Sequence, residues 1–306
     1  MAWTSKMLGG LRAIPLCAAA LAGANAQADQ IYHYAGTLGD MKVDVVLEAE
    51  KMDDGFGGLL VTERDSAPVV LERTPYFEGE PFLIAVRDKT EIPTAAVEFR
   101  PFDQGARYLF GRWIDLRTRE ERKVDLQLVK TFDDGVSTLG YEGELLQQPI
   151  SALHRISVHT DNREARARRD SSVGKVDQIT VRSKSGEVIQ VIDGLSVVFK
   201  GTRTLEPVRI NDDHNLDFVI RTLDYDPATG DWDYGKQLFF VYQESLGRYE
   251  PQVRLNEWAE KGLFYYQEKP GHFRYEKGSD CRCNAPKDGI YRVVGDEVEP
   301  VTGSER

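Results

Sequence analysis

Cysteine and histidine are scarce in this sequence. Its 306 residues include 3 Cys and 5 His, the side chains on which most zinc sites and many nucleophilic centres depend. His154 and His159 are five positions apart, so on one strand they would point to opposite faces. The sequence also lacks the G-x-S-x-G, H-E-x-x-H and phosphate-loop motifs. These absences argue against a serine hydrolase, a zinc protease and a nucleotide-binding enzyme, and no motif indicates an organic cofactor.

Positive charge is in deficit. There are 39 Lys and Arg against 50 Asp and Glu, which gives a formal net charge of −11 and a pI near 5.1. Nucleic acids and anionic membrane surfaces attract basic proteins, so neither is expected as a partner. A basic protein would be drawn to this chain.

No apolar run approaches the roughly 20 residues of a membrane span. Residues 1–26 instead predict a cleaved signal peptide, because Lys6 and Arg12 accompany a short apolar stretch, 13–22, followed by small residues at 24 and 26. Glycine and proline inside this segment weaken the alternative, a buried helix. The expected location is therefore the periplasm. Removal of the two basic residues would lower the net charge from −11 to −13.

Export would also remove Cys17 and leave Cys281 and Cys283. An oxidising compartment favours a bond between them, and the turn-forming residues around them could bring the two Cα atoms within disulfide reach. We expect a Cys281–Cys283 disulfide that stiffens its loop. Free or intermolecular thiols and metal ligation, with His272 as the nearest further ligand, stay open as alternatives.

Alternation of apolar and polar residues predicts an all-β fold of antiparallel meanders. Val43, Val45 and Leu47 are one example, and similar short runs recur with turn-forming residues between them. Helical spacing is clear only near 254–262, where one short helix is predicted.

The pattern divides the mature chain into two β segments. An N-terminal β domain is expected over 29–132 and a C-terminal β domain over 176–301. Between them, 133–175 is interpreted as a linker or loop region, because residues 161–175 are polar and rich in arginine.

An acidic loop before one strand of the second segment contains Asn211, Asp213 and Asp217. Calcium takes carboxylate and amide oxygens from tight turns of this kind, so these residues are candidate calcium ligands. A polar entry to a hairpin, rich in turn formers, is the alternative.

Four stretches carry a family resemblance. They are Tyr34-x-Gly36-x-Leu38-Gly39-x-x-x-Val43-x-x-x-Leu47, Leu109-x-Gly111-x-Trp113 with Val124-x-Leu126-x-Leu128, Val176-x-x-Ile179-x-Val181-x-x-x-x-Gly186, and Arg209-x-Asn211-x-Asp213-His214-x-x-Asp217-Phe218-x-Ile220. Together they resemble periplasmic immunity proteins against lysozyme-like, peptidoglycan-cleaving effectors, which are similar in fold to the invertebrate-type lysozyme inhibitors. In that family the last stretch reads D-x-N-x-D-G-x-x-D-[FL]-x-[IV]. Here Arg209 replaces the first acid and His214 replaces the glycine, and both changes oppose calcium binding.

The resemblance implies a non-enzymatic inhibitor or immunity protein that inserts a loop into the active-site cleft of a lysozyme-like peptidoglycan hydrolase. Ser245, Arg248 and Tyr249 are the candidate partner-binding residues, with stretches 75–81 and 279–284 as alternative loops. Two other classes stay open. One is a calcium-dependent envelope-binding or structural module, and the other is a secreted hydrolase that uses two carboxylates.

Overall fold

Antiparallel strands dominate the computed structural model of this chain, which confirms the predicted all-β class. The structure describes residues 29–50, 55–65, 67–73, 82–87, 92–100, 102–103, 105–134, 136–163, 172–211, 216–225, 232–266, 269, 271–278, 286–294 and 297–301. Within these ranges, no helix is long and apolar enough to cross a membrane.

The first eight strands follow one another around a closed barrel. They are β1 (Asp29–Leu38), β2 (Met41–Glu50), β3 (Gly55–Thr62), β4 (Val69–Arg73), β5 (Phe82–Arg87), β6 (Pro93–Phe99), β7 (Tyr108–Asp115) and β8 (Glu121–Asp134). The last strand returns to the first, with Asp29 opposite Asp134 and Leu38 opposite Val124. Closure pairs both edges of the meander with each other.

Alternate side chains of the barrel strands fill its interior. Tyr34, Val45 and Leu126 are among the buried residues of this core. Their alternation with outward polar residues is the pattern from which the strands were predicted.

The rest of the chain forms three stacked sheets. The first sheet contains β10 (Glu142–Leu146), β11 (Arg155–Asp161), β13 (Lys175–Arg182) and β14 (Val188–Ile192), with β15 (Val197–Val198) beside β13. A small pair, β9 (Val136–Ser137) and β12 (Ser172–Val173), accompanies it. The middle sheet follows a 3-10 turn at Gly201–Arg203 and contains β16 (Glu206–Val208), β17 (Asp217–Tyr225), β18 (Trp232–Gln243) and β19 (Arg248–Pro251). The last sheet contains β20 (Gly262–Tyr266), β21 (His272–Lys277), β22 (Gly289–Val294) and β23 (Glu297–Pro300).

The region predicted as a linker is corrected by this arrangement. Two strands of the first sheet, β10 and β11, lie inside 133–175, and Leu145, Ile156 and Val158 bury one face of that sheet. The polar run misled the interpretation because its charge hides the short apolar strands before it. The N-terminal unit also extends to Asp134.

The helix predicted near 254–262 is confirmed as α1 (Val253–Ala259). Leu255 and Ala259 are buried between the middle and last sheets. The helix ends earlier than predicted, and Gly262 begins β20.

The middle sheet is apolar on both faces. Phe218 and Phe240 face a core shared with the first sheet and the outer surface of the barrel, whereas Val219 and Phe239 face the core of α1 and the last sheet. Phe132 of β8 belongs to the core shared with the barrel. The barrel and the sheets are therefore joined by apolar packing.

Side-chain amides supplement this packing by bonding to the main chain of neighbouring elements. Gln147 accepts from the Leu205 N–H at 3.2 Å and donates to the Gly201 carbonyl at 3.1 Å. Asn256 of α1 accepts from the Phe239 N–H at 2.7 Å. Each amide supplies the donor and acceptor that a neighbouring strand would otherwise offer.

Candidate functional site

The predicted calcium ligand Asp217 is fully buried at the start of β17. One carboxylate oxygen accepts the Ile210 N–H at 2.9 Å, and the other accepts the Tyr242 N–H at 2.9 Å. The carboxylate thus fastens the acidic loop to β18. Both oxygens are engaged in structural bonds, and this use reduces their availability to a cation.

The other two predicted ligands, Asn211 and Asp213, precede Asp217 in the acidic loop. Asn211 lies at a groove beside α1, and Asp213 lies outside the described residues. In the part of the chain that the structure describes, no three His, Cys, Asp or Glu side chains are grouped to hold a metal ion. Calcium binding stays a prediction.

The hairpin between β18 and β19 carries the predicted partner-binding residues. Its four-residue turn, 244–247, is closed by hydrogen bonds from the Leu246 and Gly247 N–H groups to the Gln243 carbonyl, at 3.0 and 2.8 Å. Gly247 has φ +64°, a left-handed conformation that glycine adopts without strain. Ser245 is exposed and the Leu246 side chain is 58% exposed. An apolar tip is thus presented by a defined turn.

Tyr249, by contrast, is only 1% exposed and packs in the core shared with the first sheet. Its ring centroid lies 5.0 Å from that of Phe218 and 5.2 Å from that of Tyr242. This placement corrects the prediction for Tyr249, whose side chain anchors the hairpin and does not face a partner. Ser245 and Arg248 are exposed and stay candidates. Burial also raises the pKa of the Tyr249 phenol.

A glutamine from the first sheet holds the root of the hairpin. Gln190 of β14 accepts from the Tyr249 N–H at 2.9 Å and donates to the Tyr249 carbonyl at 2.7 Å. One side chain thereby occupies both main-chain groups of this residue in the outer strand of the middle sheet. His154 packs beside the same root, 5.3 Å from the Tyr242 ring, and burial lowers its pKa.

An acidic groove of about 790 Å³ lies beside the hairpin. Gln243 and Glu250 from the hairpin strands line it, with Glu257 of α1 and Glu297 of β23 on the opposite side. Arg254 also lines the groove and is paired with Glu257 at 3.3 Å. The three carboxylates outnumber the lining guanidinium, and with Arg248 also paired to Glu250 the groove still has one negative charge in excess, which suits it to basic side chains.

A second cavity, of about 420 Å³, lies where the barrel meets the 3-10 turn. Glu48 and Glu72 both line it. The two Glu48 oxygens accept the Thr202 N–H at 2.7 Å and the Thr202 hydroxyl at 2.8 Å. Burial raises the pKa of Glu48 above its ordinary value of 4.5, and the bonds from Thr202 oppose that rise. Gly201, with φ +59°, leaves room for the carboxylate, because an added Cβ would lie 2.5 Å from a Glu48 oxygen.

The cysteine pair and both alternative loops, 75–81 and 279–284, lie outside the described residues. The Cys281–Cys283 disulfide stays a prediction: thiol titration of denatured, exported protein should find no free thiol. Two free thiols per chain, or a covalent dimer on a non-reducing gel, would contradict it.

Sequence reasoning missed Gln190 and Glu48. Neither residue belongs to a motif, and the partner of each is more than 50 positions away in the chain. Their only local signal is a polar residue on a strand otherwise rich in apolar side chains. Comparisons with protein-family models, curated proteins and solved structures find no match for this chain.

Proposed function

We propose that this protein is a periplasmic, non-enzymatic inhibitor or immunity protein that blocks a lysozyme-like peptidoglycan hydrolase. The turn 244–247 is the segment that enters the cleft of the hydrolase. The observation that carries the proposal is the exposed Leu246 tip on a turn whose root is fixed by Tyr249 and Gln190. A segment that is already ordered loses little conformational entropy on binding.

Charge supports the same partner. The acidic groove lies next to the hairpin, and the whole chain has a net charge of −11. Enzymes that act on polyanionic cell walls are commonly basic, so opposite charges would speed their encounter with this protein. The acidic groove would receive basic side chains at the rim of the cleft while Leu246 enters it.

A turbidity assay on purified cell walls tests the proposal. Chicken-, goose- and invertebrate-type lysozymes are each mixed with micromolar amounts of the mature protein, and clearing should slow for at least one. The variant Leu246→Asp should lose the effect, because it brings a charge into the desolvated contact. Ile92→Asp is the matched control, since Ile92 is 63% exposed but lies on the barrel. Undiminished clearing by all three enzymes, or equal loss in both variants, would count against the hairpin mechanism.

The salt dependence of inhibition tests the role of the groove. Glu257→Lys should weaken inhibition and reduce its sensitivity to salt, because the attraction between opposite charges is screened. Asp193→Lys makes the same charge change at an exposed position directly after β14. Equal effects of the two substitutions would show that only net charge matters.

A secreted hydrolase is the second candidate, and one observation favours it. Glu48 and Glu72 line the same cavity, and the pKa of Glu48 is raised, as the pKa of a general acid is in glycosidases. Release of reducing sugar from cell walls by the protein alone, abolished in Glu48→Gln, would support this candidate. If no reducing sugar is released, Glu48 has a structural role, in which its carboxylate accepts the two hydrogen bonds from Thr202.

A further inference from the structure

The outer surface of the barrel differs from one side to the other. Ile31, Val46 and Phe132 face outward on β1, β2 and β8 and are covered by the stacked sheets. On β7, Tyr108 and Phe110 face outward and are 47% and 51% exposed. Two large aromatic rings therefore occupy successive outward positions of one strand, away from the covered side.

The two rings are aligned. Their centroids are 6.3 Å apart and their planes are within 17° of parallel. The Arg107 guanidinium carbon lies 5.4 Å from the Tyr108 centroid, a cation–π contact that restrains the ring. Leu109, between the two rings in sequence, is 1% exposed and belongs to the barrel core. The strand that carries the rings is thus anchored from inside the barrel.

Polar side chains of the neighbouring strand β8 lie beside the rings. Gln127 of β8 is the cross-strand partner of Tyr108, and Asp125 is the partner of Phe110. Arg112, the next outward residue of β7, bonds to Glu121 at 2.9 Å through its guanidinium. Flat aromatic faces bordered by carboxamide, carboxylate and guanidinium groups suit a ligand that has C–H faces and hydroxyl edges. Pyranose rings have this chemistry.

The segment that carries the rings has a small excess of basic residues, unlike the whole chain. Residues 98–130, which include Glu98 as the partner of Arg100 and Arg112, contain eight Lys and Arg against six Asp and Glu, whereas the complete sequence has 39 against 50. A neutral sugar gains nothing from this excess of basic groups, but a polysaccharide with carboxylate groups does. The charge therefore selects an acidic glycan.

We propose that Tyr108 and Phe110 form a binding platform for a linear polysaccharide that bears carboxylate groups. Successive pyranose rings stack on the two aromatic faces, Gln127 bonds to their hydroxyl groups, and Arg107 attracts the acidic substituents. The platform is independent of the hairpin and does not rest on inhibition of a hydrolase.

Affinity electrophoresis in native gels tests the platform with the purified mature chain. The gels contain polygalacturonate as the acidic probe or hydroxyethylcellulose as the neutral probe, and insoluble peptidoglycan serves in a parallel sedimentation assay. The wild-type protein should be retarded by polygalacturonate and sediment with peptidoglycan. The affinity of the double variant Tyr108→Ala/Phe110→Ala for polygalacturonate should fall by at least about tenfold, because both stacking surfaces are removed. Arg107→Gln should reduce retardation by a smaller factor and make it less sensitive to salt.

Three controls separate this result from others. Leu153→Ala removes another exposed apolar side chain, 61% exposed in the connection between β10 and β11, and should leave binding unchanged. Leu246→Asp should also leave glycan binding unchanged, so failure of the inhibitor proposal would not affect this one. Thermal unfolding should show that the double variant is folded; if it is not, the single variant Phe110→Ser carries the test.

The proposal would be overturned if the wild type were neither retarded by polygalacturonate nor sedimented with peptidoglycan. Equal retardation by hydroxyethylcellulose would overturn the acidic assignment. Self-association that disappears in the double variant, without glycan binding, would assign the rings to a contact between two copies of the chain instead.

Discussion

The barrel and the three stacked sheets satisfy their strand edges in different ways. In the barrel, β8 returns to β1, and main-chain hydrogen bonds complete the ring. In the sheets, individual side chains supply some of the missing bonds: Gln147, Gln190, Asn256 and Asp217 each bond to main-chain groups of another element. The strand edges of the barrel are therefore paired by its closed topology, whereas the edges of the sheets are satisfied in part by a few particular side chains.

The two regions also differ in how their cores are enclosed. The barrel encloses its core within one sheet. The middle sheet needs a neighbour on each face, since Phe218 and Val219 face opposite cores. Single substitutions should consequently affect the sheets more than the barrel surface.

Phe132→Ala should have the largest effect, because Phe132 packs where the two regions meet. It is fully buried, with its ring centroid 5.6 Å from Tyr141 and 6.0 Å from Phe199. The free energy of unfolding in urea should fall by about 3–5 kcal/mol, from lost burial and a residual cavity. Phe110→Ala on the exposed side of the barrel should change it by less than about 0.5 kcal/mol. Equal losses would mean that the interface contributes little to stability.

Asp217→Asn should destabilise the middle sheet by about 2–4 kcal/mol, because one of two buried N–H donors would then face an amide N–H. Urea unfolding measures the loss, and Asp193→Asn at an exposed position is the control. The loss should be the same with and without millimolar calcium if the carboxylate is structural. A loss that appears only with calcium would restore Asp217 as a metal ligand.

Gln190→Ala should lower the free energy of unfolding by about 1–2 kcal/mol, since it removes two hydrogen bonds to Tyr249. Hydrogen exchange of the Tyr249 amide should accelerate more than exchange within the barrel. Gln127→Ala, at an exposed barrel position, should change neither quantity. Unchanged exchange at Tyr249 would show that Gln190 does not hold the hairpin root.

Glu48→Gln should have the smallest effect, and its sign should depend on pH. The folded-state pKa of Glu48 lies above 4.5, so the folded protein holds the proton more tightly than the unfolded chain does. Wild-type stability should therefore fall as pH rises from 4.5 through the folded-state pKa. The variant lacks this fall, so its stability relative to wild type should improve between about pH 4 and pH 7. Urea unfolding at both pH values measures the difference, and Glu63→Gln serves as the control. A constant difference between wild type and Glu48→Gln would contradict the raised pKa.

Local pattern predicted much of the fold but little of its assembly. The alternation of Val43, Val45 and Leu47 predicts β2 because a strand with one buried face has period two. Closure of the barrel pairs residues about a hundred positions apart, such as Asp29 and Asp134, and no local signal specifies it. The strands β10 and β11 were hidden by the polar run that follows them.

The candidate site illustrates the same division. The sequence predicts a turn near 244–247, but the burial of Tyr249 depends on the first sheet, which packs against it. Asp217 was predicted as a metal ligand because the sequence shows oxygen donors in a row. The two N–H groups that occupy its carboxylate come from Ile210 and Tyr242, and folding alone brings the second of them close.

Because Asp29 stands opposite Asp134, the chain enters and leaves the barrel at neighbouring points. A unit with adjacent ends can be added to a host protein, or removed from it, with little distortion of the remainder. The barrel therefore has the geometry of an exchangeable module. A shuffled gene could carry it into a surface loop of another protein while preserving its ring of hydrogen bonds, provided that the new host covers Ile31, Val46 and Phe132 as the stacked sheets now do.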